Sequence, residues 1–370
     1  MYILIGADLV PTNSNEEYFK KAEIEKLLDR NVLKIFTEAD YRICNLETPL
    51  YDGYSPIKKN GPNMSSSTDT INGIKALNID LLTLANNHIM DHGIQGLNST
   101  IKALDNYDIK YLGVGSNKTD AQKPYIFKFA DKRIGVYACT EHEFSVATDC
   151  LPGANPLDLL EITDHISQLR KRCDYLIVLY HGGKEYYRFP SPMLQKICRK
   201  LADKGANLII TQHSHCVGCK EEYKDSTIIY GQGNFLFDKE HNEFWDEGLL
   251  IAVNEDFKID YIPLRKCELS KFYDRSRAIE DPEFVKEEYS RFAKKMYEKQ
   301  TSPFRKKETL PFRIINKLLC NKARYKTVFD LPEDKLLARI NYIECEAHRE
   351  LLIEGLRGHA LQNSDNFDKL

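Results

Sequence analysis

The sequence predicts a layered α/β domain followed by a helical C-terminal extension, and three observations lead to this prediction. From the start of the chain to about residue 262, short β-branched runs alternate with longer stretches that suit helices. Polar residues follow several of those runs directly. After residue 265 the pattern changes to helix-compatible stretches that begin near prolines. We therefore expect one domain over residues 1–262 and a helical extension over residues 263–370.

The composition is that of an ordinary globular protein and excludes several classes. A chain of 370 residues can bury a full core, and its length favours one large domain or two unequal ones. Hydrophobic residues make up 42% and charged residues 29%, which excludes a disordered or collagen-like chain. The net charge of -3 gives no general reason to expect a nucleic-acid partner or an acidic membrane surface.

The compartment is predicted from the N-terminus and the cysteines. The first residues lack a basic region and a long apolar segment, so we expect no signal peptide. No stretch approaches the roughly 18 consecutive apolar residues of a membrane helix. Ten cysteines without a secretory signal favour reduced thiols. The expected protein is soluble and cytoplasmic, without a membrane span.

The individual elements follow from the hydrophobic period. Runs rich in Val, Ile, Leu and Tyr predict strands at residues 2–5, 41–45, 80–84, 110–114, 175–180, 207–211 and 227–230. A polar turn between two alternating runs predicts a hairpin over residues 125–139. Apolar residues at spacings of three and four predict helices at residues 67–77, 93–107, 155–171 and 191–204.

The extension is predicted to contain three helices, at residues 282–299, 311–324 and 332–355. The last of them carries an apolar stripe that should be buried, formed by Leu336, Ile340, Ile343, Ala347 and Leu351. Residues 301–326 are locally basic, which fits a solvated helical face as well as an anionic partner.

Five polar clusters follow candidate strands. In α/β folds the loops at the carboxyl ends of strands meet at one edge, so residues that are distant in sequence can form one site. A single His or Asp in such a place is more often a satisfied structural residue, but the repetition indicates a site. The clusters are Asp8, Asn45 with Glu47, residues 86–88, His181, and His213 with His215.

Carboxylates, imidazoles and an amide oxygen together form a ligand set for divalent Zn, Mn or Fe, and do not select one of them. His213 and His215 can act together if the backbone leaves extended geometry or if both side chains share one strand face. Cys216 and Cys219 form a CxxC sequence, which could bind metal or serve redox chemistry. Without a second pair, ordinary reduced thiols are the preferred interpretation.

Seven separated motifs resemble a known family. They are NLETPL, KKNGPN, LANNHIMDHGIQGL, LGVGSN, HGGKEYYRFPSPMLQ, ADKGANLIITQHSH and YGQGNFLFD, in this order. Together they resemble the CapA-like family, which is named for poly-γ-glutamate capsule synthesis, over roughly residues 1–240. The resemblance implies a calcineurin-like metallophosphoesterase fold, in which two central sheets lie between helical layers. It implies a metal site in the loops at the strand ends.

The resemblance also implies roles for individual residues. A first metal would be held by Asp8, with His215 reaching toward it, and a second by Asn87, His181 and His213. Glu47 occupies the place of the carboxylate that bridges the two metals.

A further residue, His88, resembles a histidine that donates to the leaving oxygen or to a phosphate oxygen of the substrate.

The chain departs from the wider phosphoesterase pattern at two positions: Val10 stands where a histidine is usual, and Glu47 replaces an aspartate. The GADLV segment has one residue more than usual between Gly6 and Asp8. These departures lead us to expect one tightly bound metal and a second that is weakly bound or completed by the substrate.

The expected function is metal-dependent hydrolysis of a phosphoester, connected with capsule or cell-envelope polymers. An anionic small molecule or polymer would be the substrate, and the residues expected to contact it are Lys59, Lys184, Glu185, Arg188 and Asn234. Two alternatives stay open. The chain could be a non-catalytic accessory protein of polymer synthesis or export, or a metal-dependent amide hydrolase or transferase.

Overall fold

A computed structural model describes residues 1–12, 14–237, 244–265, 289–293 and 333–362, with the side chains of residues 265 and 357–362 left undescribed. The strands are β1 (Tyr2–Val10), β2 (Tyr41–Leu46), β3 (Leu81–Thr83), β4 (Lys110–Leu112), β5 (Val114–Gly115), β6 (Tyr125–Phe129), β7 (Lys132–Thr140), β8 (Gly153–Ala154), β9 (Tyr175–His181), β10 (Leu208–Gln212), β11 (Val217–Tyr223), β12 (Ser226–Gln232), β13 (Asn234–Phe237), β14 (Glu247–Asn254) and β15 (Ile259–Arg265). The helices are α1 (Glu16–Lys20), α2 (Ile24–Leu27), α3 (Arg30–Glu38), α4 (Ile71–Ala76), α5 (Gly93–Asn106), α6 (Lys118–Ala121), α7 (Ile162–Arg170), α8 (Pro192–Asp203), α9 (Glu333–Glu344) and α10 (Glu346–Gln362).

Two sheets form the centre of the domain. The first has the order β15-β14-β1-β2-β3-β4, with β13 also paired to β1, and the second has the order β11-β12-β10-β9-β7-β6. Strands β1 to β4 run parallel to one another, as do β7, β9, β10 and β12, while antiparallel strands lie toward the edges. The carboxyl ends of the parallel strands in each sheet therefore open toward one edge.

Three apolar cores separate the layers and show that the domain is a four-layer α/β/β/α sandwich. Alternate residues of a strand face opposite sides, so Ile3 packs between the sheets whereas Leu4 packs under the helices that include α4 and α5. In the second sheet, Ile177 faces the inter-sheet core and Leu176 faces α7 and α8. The fold class predicted from the sequence and its resemblance is confirmed.

The predicted strands all coincide with observed strands, and the predicted hairpin corresponds to β6 and β7. The candidate strands did not include β11, β13, β14 and β15. Helix α7 begins at Ile162 rather than at residue 155. The prediction was wrong there because the side chain of Asn155 is buried and its Nδ2 donates to the Ala138 carbonyl at 2.7 Å, which holds this segment against β7.

The extension lies against the sandwich through α10. Leu351 packs with Tyr187 and with Tyr289 and Ala293 of the short helical segment 289–293. Glu350 accepts a hydrogen bond from the backbone N–H of Met193 at 3.0 Å, at the start of α8. Residues 294–332, which include a predicted helix and the basic stretch, lie outside the described residues. Strand β15 runs past residue 262, and the division into two domains stays a prediction.

Two expectations for the last helix were wrong. The predicted single helix is interrupted at Cys345, which is fully buried, while the neighbouring Glu346 pairs with His142. The predicted apolar stripe is only partly buried, since Ile340 and Ile343 are 42% and 60% exposed. Tertiary contacts at residues 345–351 set the orientation of these helices and override the apolar spacing. Among the described residues, no helix combines the length and apolar character needed to cross a bilayer.

Candidate metal centre

The strand ends bring the predicted polar residues together in one buried place. Asp8 lies in β1, Glu47 directly follows β2, and His181 ends β9. The loops after β3 and β10 contribute the others, and the seven residues expected at the centre are each at most 8% exposed: Asp8, Glu47, Asn87, His88, His181, His213 and His215. Both sheets thus supply side chains to one site.

A β-bulge accommodates the extra residue before Asp8. Ile5 pairs with Ile43, but Asp8 pairs with Asn45, so β1 has one residue more than β2 across this interval. Gly6 fits here because a Cβ atom would lie 2.7 Å from the Cys44 Sγ. The bulge carries the Asp8 carboxylate into the site, where Oδ1 accepts a hydrogen bond from Asn45 Nδ2 at 2.8 Å.

Two three-residue groups share one carboxylate. Ligand atoms of Glu47, His181 and His213 lie within 4.8 Å of one another, and so do those of Asp8, Glu47 and His215. His181 Nε2 is 3.2 Å from Glu47 Oε1 and 3.1 Å from Asn87 Oδ1, which adds an amide oxygen to the first group. Two adjacent cations could be held here, with Glu47 contributing to both groups.

The Glu47 carboxylate provides the test of whether a cation fits. Both of its oxygens are buried, and neither accepts a hydrogen bond from any residue within the described ranges. A buried carboxylate in this condition is costly unless it is paired or coordinates a metal. Hard oxygens and imidazole nitrogens are suitable donors for Zn, Mn or Fe. The residues present therefore fit one or two divalent cations.

The backbone after β10 is strained so that both histidines face the site. His213 and His215 adopt φ angles of 78° and 50°, a left-handed conformation that non-glycine residues rarely take. The chain leaves extended geometry here, which was one of the two arrangements considered from sequence. Trp245 stacks on the His215 ring at a centroid distance of 4.6 Å, and Asn234 Oδ1 lies 3.0 Å from His215 Nδ1. These contacts hold the His215 ring in place.

Burial and mutual charge shift the titration of the site. Burial, reinforced by the nearby Glu47, raises the pKa of Asp8 to about 6. Burial lowers the pKa of His181 well below its ordinary value, and the neighbouring His213 adds to this effect. Burial by itself would lower the pKa of His213, but adjacent carboxylates, chiefly Glu141 at 3.1 Å, outweigh it and raise the pKa to about 10.

His88 lies beside the metal-ligand groups and has its own polar partners. Its Nδ1 is 2.6 Å from Asp91 Oδ2, and Lys59 contacts both residues in a buried ion pair with Asp91. Asp91 also accepts a hydrogen bond from the Met64 N–H at 2.6 Å, so the KKNGPN loop is attached to the loop after β3. With Nδ1 hydrogen-bonded to Asp91 Oδ2, Nε2 is the ring nitrogen of His88 that is available for proton transfer.

The expected substrate residues have different surroundings. The Lys59 side chain is only 3% exposed and is engaged with Asp91. Arg188 pairs with Glu247 at 3.0 Å and donates to the Val217 carbonyl, which favours a structural role. Lys184 Nζ lies 3.3 Å from His348 of α10.

Beside Lys184, the charged neighbours of Glu185 outweigh the effect of burial. Burial alone would raise the pKa of Glu185, but Lys184 and nearby histidines lower it to about 2. Glu185 is therefore an anion at the site, which suits contact with a cation or a hydroxyl better than contact with a phosphate.

Four residues of the site were missing from the candidate ligand and catalytic set. Asn45 bonds Asp8 and lies 3.3 Å from His181, Asp91 orients His88, and Glu141 lies 3.1 Å from His213. Glu143 accepts from Asn87 Nδ2 at 2.7 Å. Asp91 carries a sequence signal, because it lies three residues after His88. Glu141 and Glu143 follow β7, the second strand of the predicted hairpin, and the sequence there gave no sign of the site.

The chain is similar in sequence to known bacterial proteins. A family model described as "Bacterial capsule synthesis protein PGA_cap" matches residues 3–239. The chain is 29% identical to the capsule biosynthesis protein CapA of Bacillus anthracis over 248 residues, 64% of this chain and 60% of that protein. It is 27% identical to the PGA biosynthesis protein CapA of Bacillus subtilis, over 67% of each chain. The match thus spans less than two thirds of the B. anthracis protein.

Solved structures with a similar course of the chain include two hydrolases. A putative 5'-nucleotidase from Staphylococcus aureus has a TM-score of 0.44 and 15% identity, covering 77% of this chain and 58% of that one. A phosphatase from Mycoplasma pneumoniae has a TM-score of 0.44 and 16% identity, covering 72% and 93%. The family itself rests on the sequence match, which includes every strand-end motif described above. The chain belongs to the bacterial capsule synthesis protein family PGA_cap.

Proposed function

We propose that the chain is a metal-dependent hydrolase of a phosphoester in the metabolism of a capsule or cell-envelope polymer. The observation that carries the proposal is the Glu47 carboxylate, buried without a hydrogen bond from the described residues and shared by two ligand groups. Two adjacent cation positions are the arrangement used by many enzymes that displace a phosphoester oxygen. The family match to capsule synthesis proteins supports the connection with polymers.

The proposed ligands follow from the geometry. Asp8, Glu47 and His215 would hold one cation, and Glu47, His181 and His213 the other, with the Asn87 amide oxygen beside the second. Manganese, zinc and iron all suit these donors. Cations bound there would supply Lewis acidity and an acidified water molecule.

The protein's own part in the reaction falls to His88. With Nδ1 held by Asp91 at 2.6 Å, the ring is fixed in one orientation and Nε2 can give a proton to a leaving oxygen. Lys59 forms a buried ion pair with Asp91, and Asp91 orients the imidazole of His88. Lys184, whose side chain is 11% exposed, is the proposed contact for the anionic part of the substrate.

A second candidate function is an accessory role without catalysis. It is favoured by a relative from Mycobacterium tuberculosis, 25% identical over 234 residues, whose name is probable polyglutamine synthesis accessory protein. In that case the fold and the cations would serve binding alone. An amide bond is the further alternative to a phosphoester, because the same donors could act on a carbonyl.

Metal analysis combined with a substrate screen tests the proposal. Protein purified without chelator is analysed for metal and assayed on phosphomonoesters, phosphodiesters and γ-glutamyl amides, together with His181→Ala and His88→Asn. If the chain is a hydrolase, we expect bound transition metal in wild type, loss of metal in His181→Ala, and loss of turnover with retained metal in His88→Asn. Metal binding without turnover on any substrate supports the accessory role, and absence of metal after reconstitution contradicts both cation positions.

A further inference from the structure

A second group of metal-ligating side chains lies where the extension meets the sandwich. Glu143 comes from the loop after β7, Cys345 from the break between α9 and α10, and His348 from the first turn of α10. One ligand atom from each lies within 4.8 Å of the others. None of the three belongs to the groups that contain Glu47.

Burial leaves the imidazole of His348 incompletely satisfied. Its Nε2 lies 3.3 Å from Lys184 Nζ, whereas Nδ1 is buried and has no hydrogen-bond partner among the residues that the structure describes. A buried polar atom without a partner destabilises the folded state. Cys345 is 0% exposed, so its sulfur is also removed from solvent. The sulfur of Cys345 has a hydrogen bond from the His348 backbone N–H, so His348 Nδ1 is the atom that an occupant accepting electron pairs would satisfy.

The chemistry of the three donors selects the occupant. A thiolate, an imidazole and a carboxylate are the donor types that proteins use for zinc and its close relatives. The two anionic donors would balance the charge of a dication. We propose that Glu143, Cys345 and His348 bind a zinc-class divalent cation, with the fourth position left to water or a small ligand.

The proposed site is distinct from the Glu47 centre, the two groups formed by Asp8, Glu47, His181, His213 and His215. A single residue, Asn87, contacts both places. Glu143 Oε2 accepts from Asn87 Nδ2 at 2.7 Å, and Asn87 Oδ1 lies 3.1 Å from His181 Nε2. The Asn87 amide therefore connects the two places without being shared as a ligand. A cation on Glu143 would help to fix the orientation of Asn87.

The same cation would fasten the extension to the sandwich. Glu346 already accepts from the His142 backbone N–H at 2.8 Å and lies 2.6 Å from its Nδ1, so the loop after β7 and the start of α10 are in contact. Coordination bonds from Cys345 and His348 to one ion would add a stronger connection between the same two segments. Metal occupancy and docking of α10 are then coupled by mass action.

Cobalt substitution tests the proposal without any assay of activity. Co²⁺ bound to a cysteine gives a thiolate-to-metal charge-transfer band in the near ultraviolet, which nitrogen and oxygen ligands do not give. Full-length metal-free protein is titrated with Co²⁺ as wild type, Cys345→Ser, His181→Ala and two cysteine controls. Cys150→Ser removes the exposed thiol, and Cys216→Ser removes the thiol next to His215.

The expected result is a thiolate band in wild type, His181→Ala, Cys150→Ser and Cys216→Ser, and its loss in Cys345→Ser. Retention in His181→Ala separates this site from the proposed catalytic centre, so the failure of one does not imply the failure of the other. A band that is absent from wild type, or that disappears in Cys216→Ser while persisting in Cys345→Ser, would overturn the proposal.

Zinc binding by two milder variants guards against misfolding of the buried cysteine variant. Glu143→Gln keeps an acceptor for Asn87, and His348→Gln keeps a polar group near Lys184. In each variant, the dissociation constant for about one equivalent of Zn²⁺ should be roughly tenfold or more higher than in wild type. Unchanged zinc affinity and stoichiometry in both variants, with far-ultraviolet circular dichroism like that of wild type, would overturn the site.

Discussion

The Glu47 centre and the Glu143, Cys345 and His348 group use similar donors but are built in different ways. The first takes its ligands from strand ends and adjoining loops of both sheets. The second takes two of its three donors from a helical extension that contacts the sandwich mainly through α10. The difference teaches that one site is assembled by the core of the fold, whereas the other exists only when the extension is docked.

The two places also differ in how many surrounding contacts hold their strained or buried groups in position. At the Glu47 centre, strained backbone at His213 and His215 and a buried carboxylate are held by the surrounding sheets and by Trp245. Around Cys345, the docking contacts that the described residues make are hydrogen bonds and a small apolar cluster. Local opening should therefore occur in the extension at a lower free energy than in the sandwich.

Removing the charge of Glu47 is expected to have the largest effect. Glu47→Gln should lose metal at both positions and lower turnover by about 10³-fold or more, since both ligand groups depend on this carboxylate. With bound metal, wild type should be the more stable of the two proteins, and with chelator present this order should reverse. There the variant should be more stable than wild type by about 1–3 kcal/mol, because a neutral amide replaces a buried charge.

Elemental analysis and thermal unfolding with and without chelator measure both effects. Glu47→Asp is the matched control, since it keeps the charge and shortens the side chain. Equal metal content in wild type and Glu47→Gln would break the view that the sheets assemble a cation site.

The second prediction concerns His88, which belongs to the same strand-end site but to neither ligand group. His88→Asn should lower turnover by roughly 10²–10⁴-fold with metal content unchanged, because a proton donor is removed. Steady-state assays on the best phosphoester and metal analysis on the same preparation check this. His165→Asn on α7 is the control, and a comparable loss in that variant would show that the effect is not specific to the site.

The third prediction sharpens the contrast with the extension. Leu351→Ala removes the buried side chain that packs on Tyr187, which should weaken docking of α10 by about 2–4 kcal/mol. Hydrogen exchange should increase in residues 333–362 and stay unchanged in β1, β9 and β10. Ile353→Ala, at a position 42% exposed on the same helix, should change little. Faster exchange throughout the sandwich would show that the two regions unfold together.

The smallest effect is expected at an exposed ion pair between the two regions. Lys58 lies 2.8 Å from Glu333, and their side chains are 75% and 62% exposed. Lys58→Ala should change the free energy of unfolding by no more than about 0.5 kcal/mol, because solvent screens the pair. Denaturant unfolding measures this. A loss of more than about 1 kcal/mol would mean that α9 contributes more to docking than its exposed contacts indicate.

Much of the sandwich could be read from the sequence because its signals are local. Buried parallel strands are continuous apolar runs, and polar residues at or just after the ends of β2, β3, β9 and β10 mark where those strands end, whereas Asp8 lies within β1. Strand β11, with the sequence VGCKEEY, lacks such a run and was missed. The apolar stripe of the extension misled for the opposite reason, since its spacing was regular but Ile340 and Ile343 face solvent.

Local patterns in the sequence were enough to predict the α/β class, the order of the parallel strands along the chain, and the family to which the motifs belong. The three-dimensional packing sets how Asp8 reaches the site through a bulge, that Glu141 lies beside His213, and that Glu143 meets Cys345 and His348. The physical reason is range. Strand and helix periods reflect interactions between near neighbours in sequence, whereas these contacts join segments that are far apart in the chain. The loop after β7 and the start of α10, for example, are joined by His142 and Glu346, which are 204 residues apart.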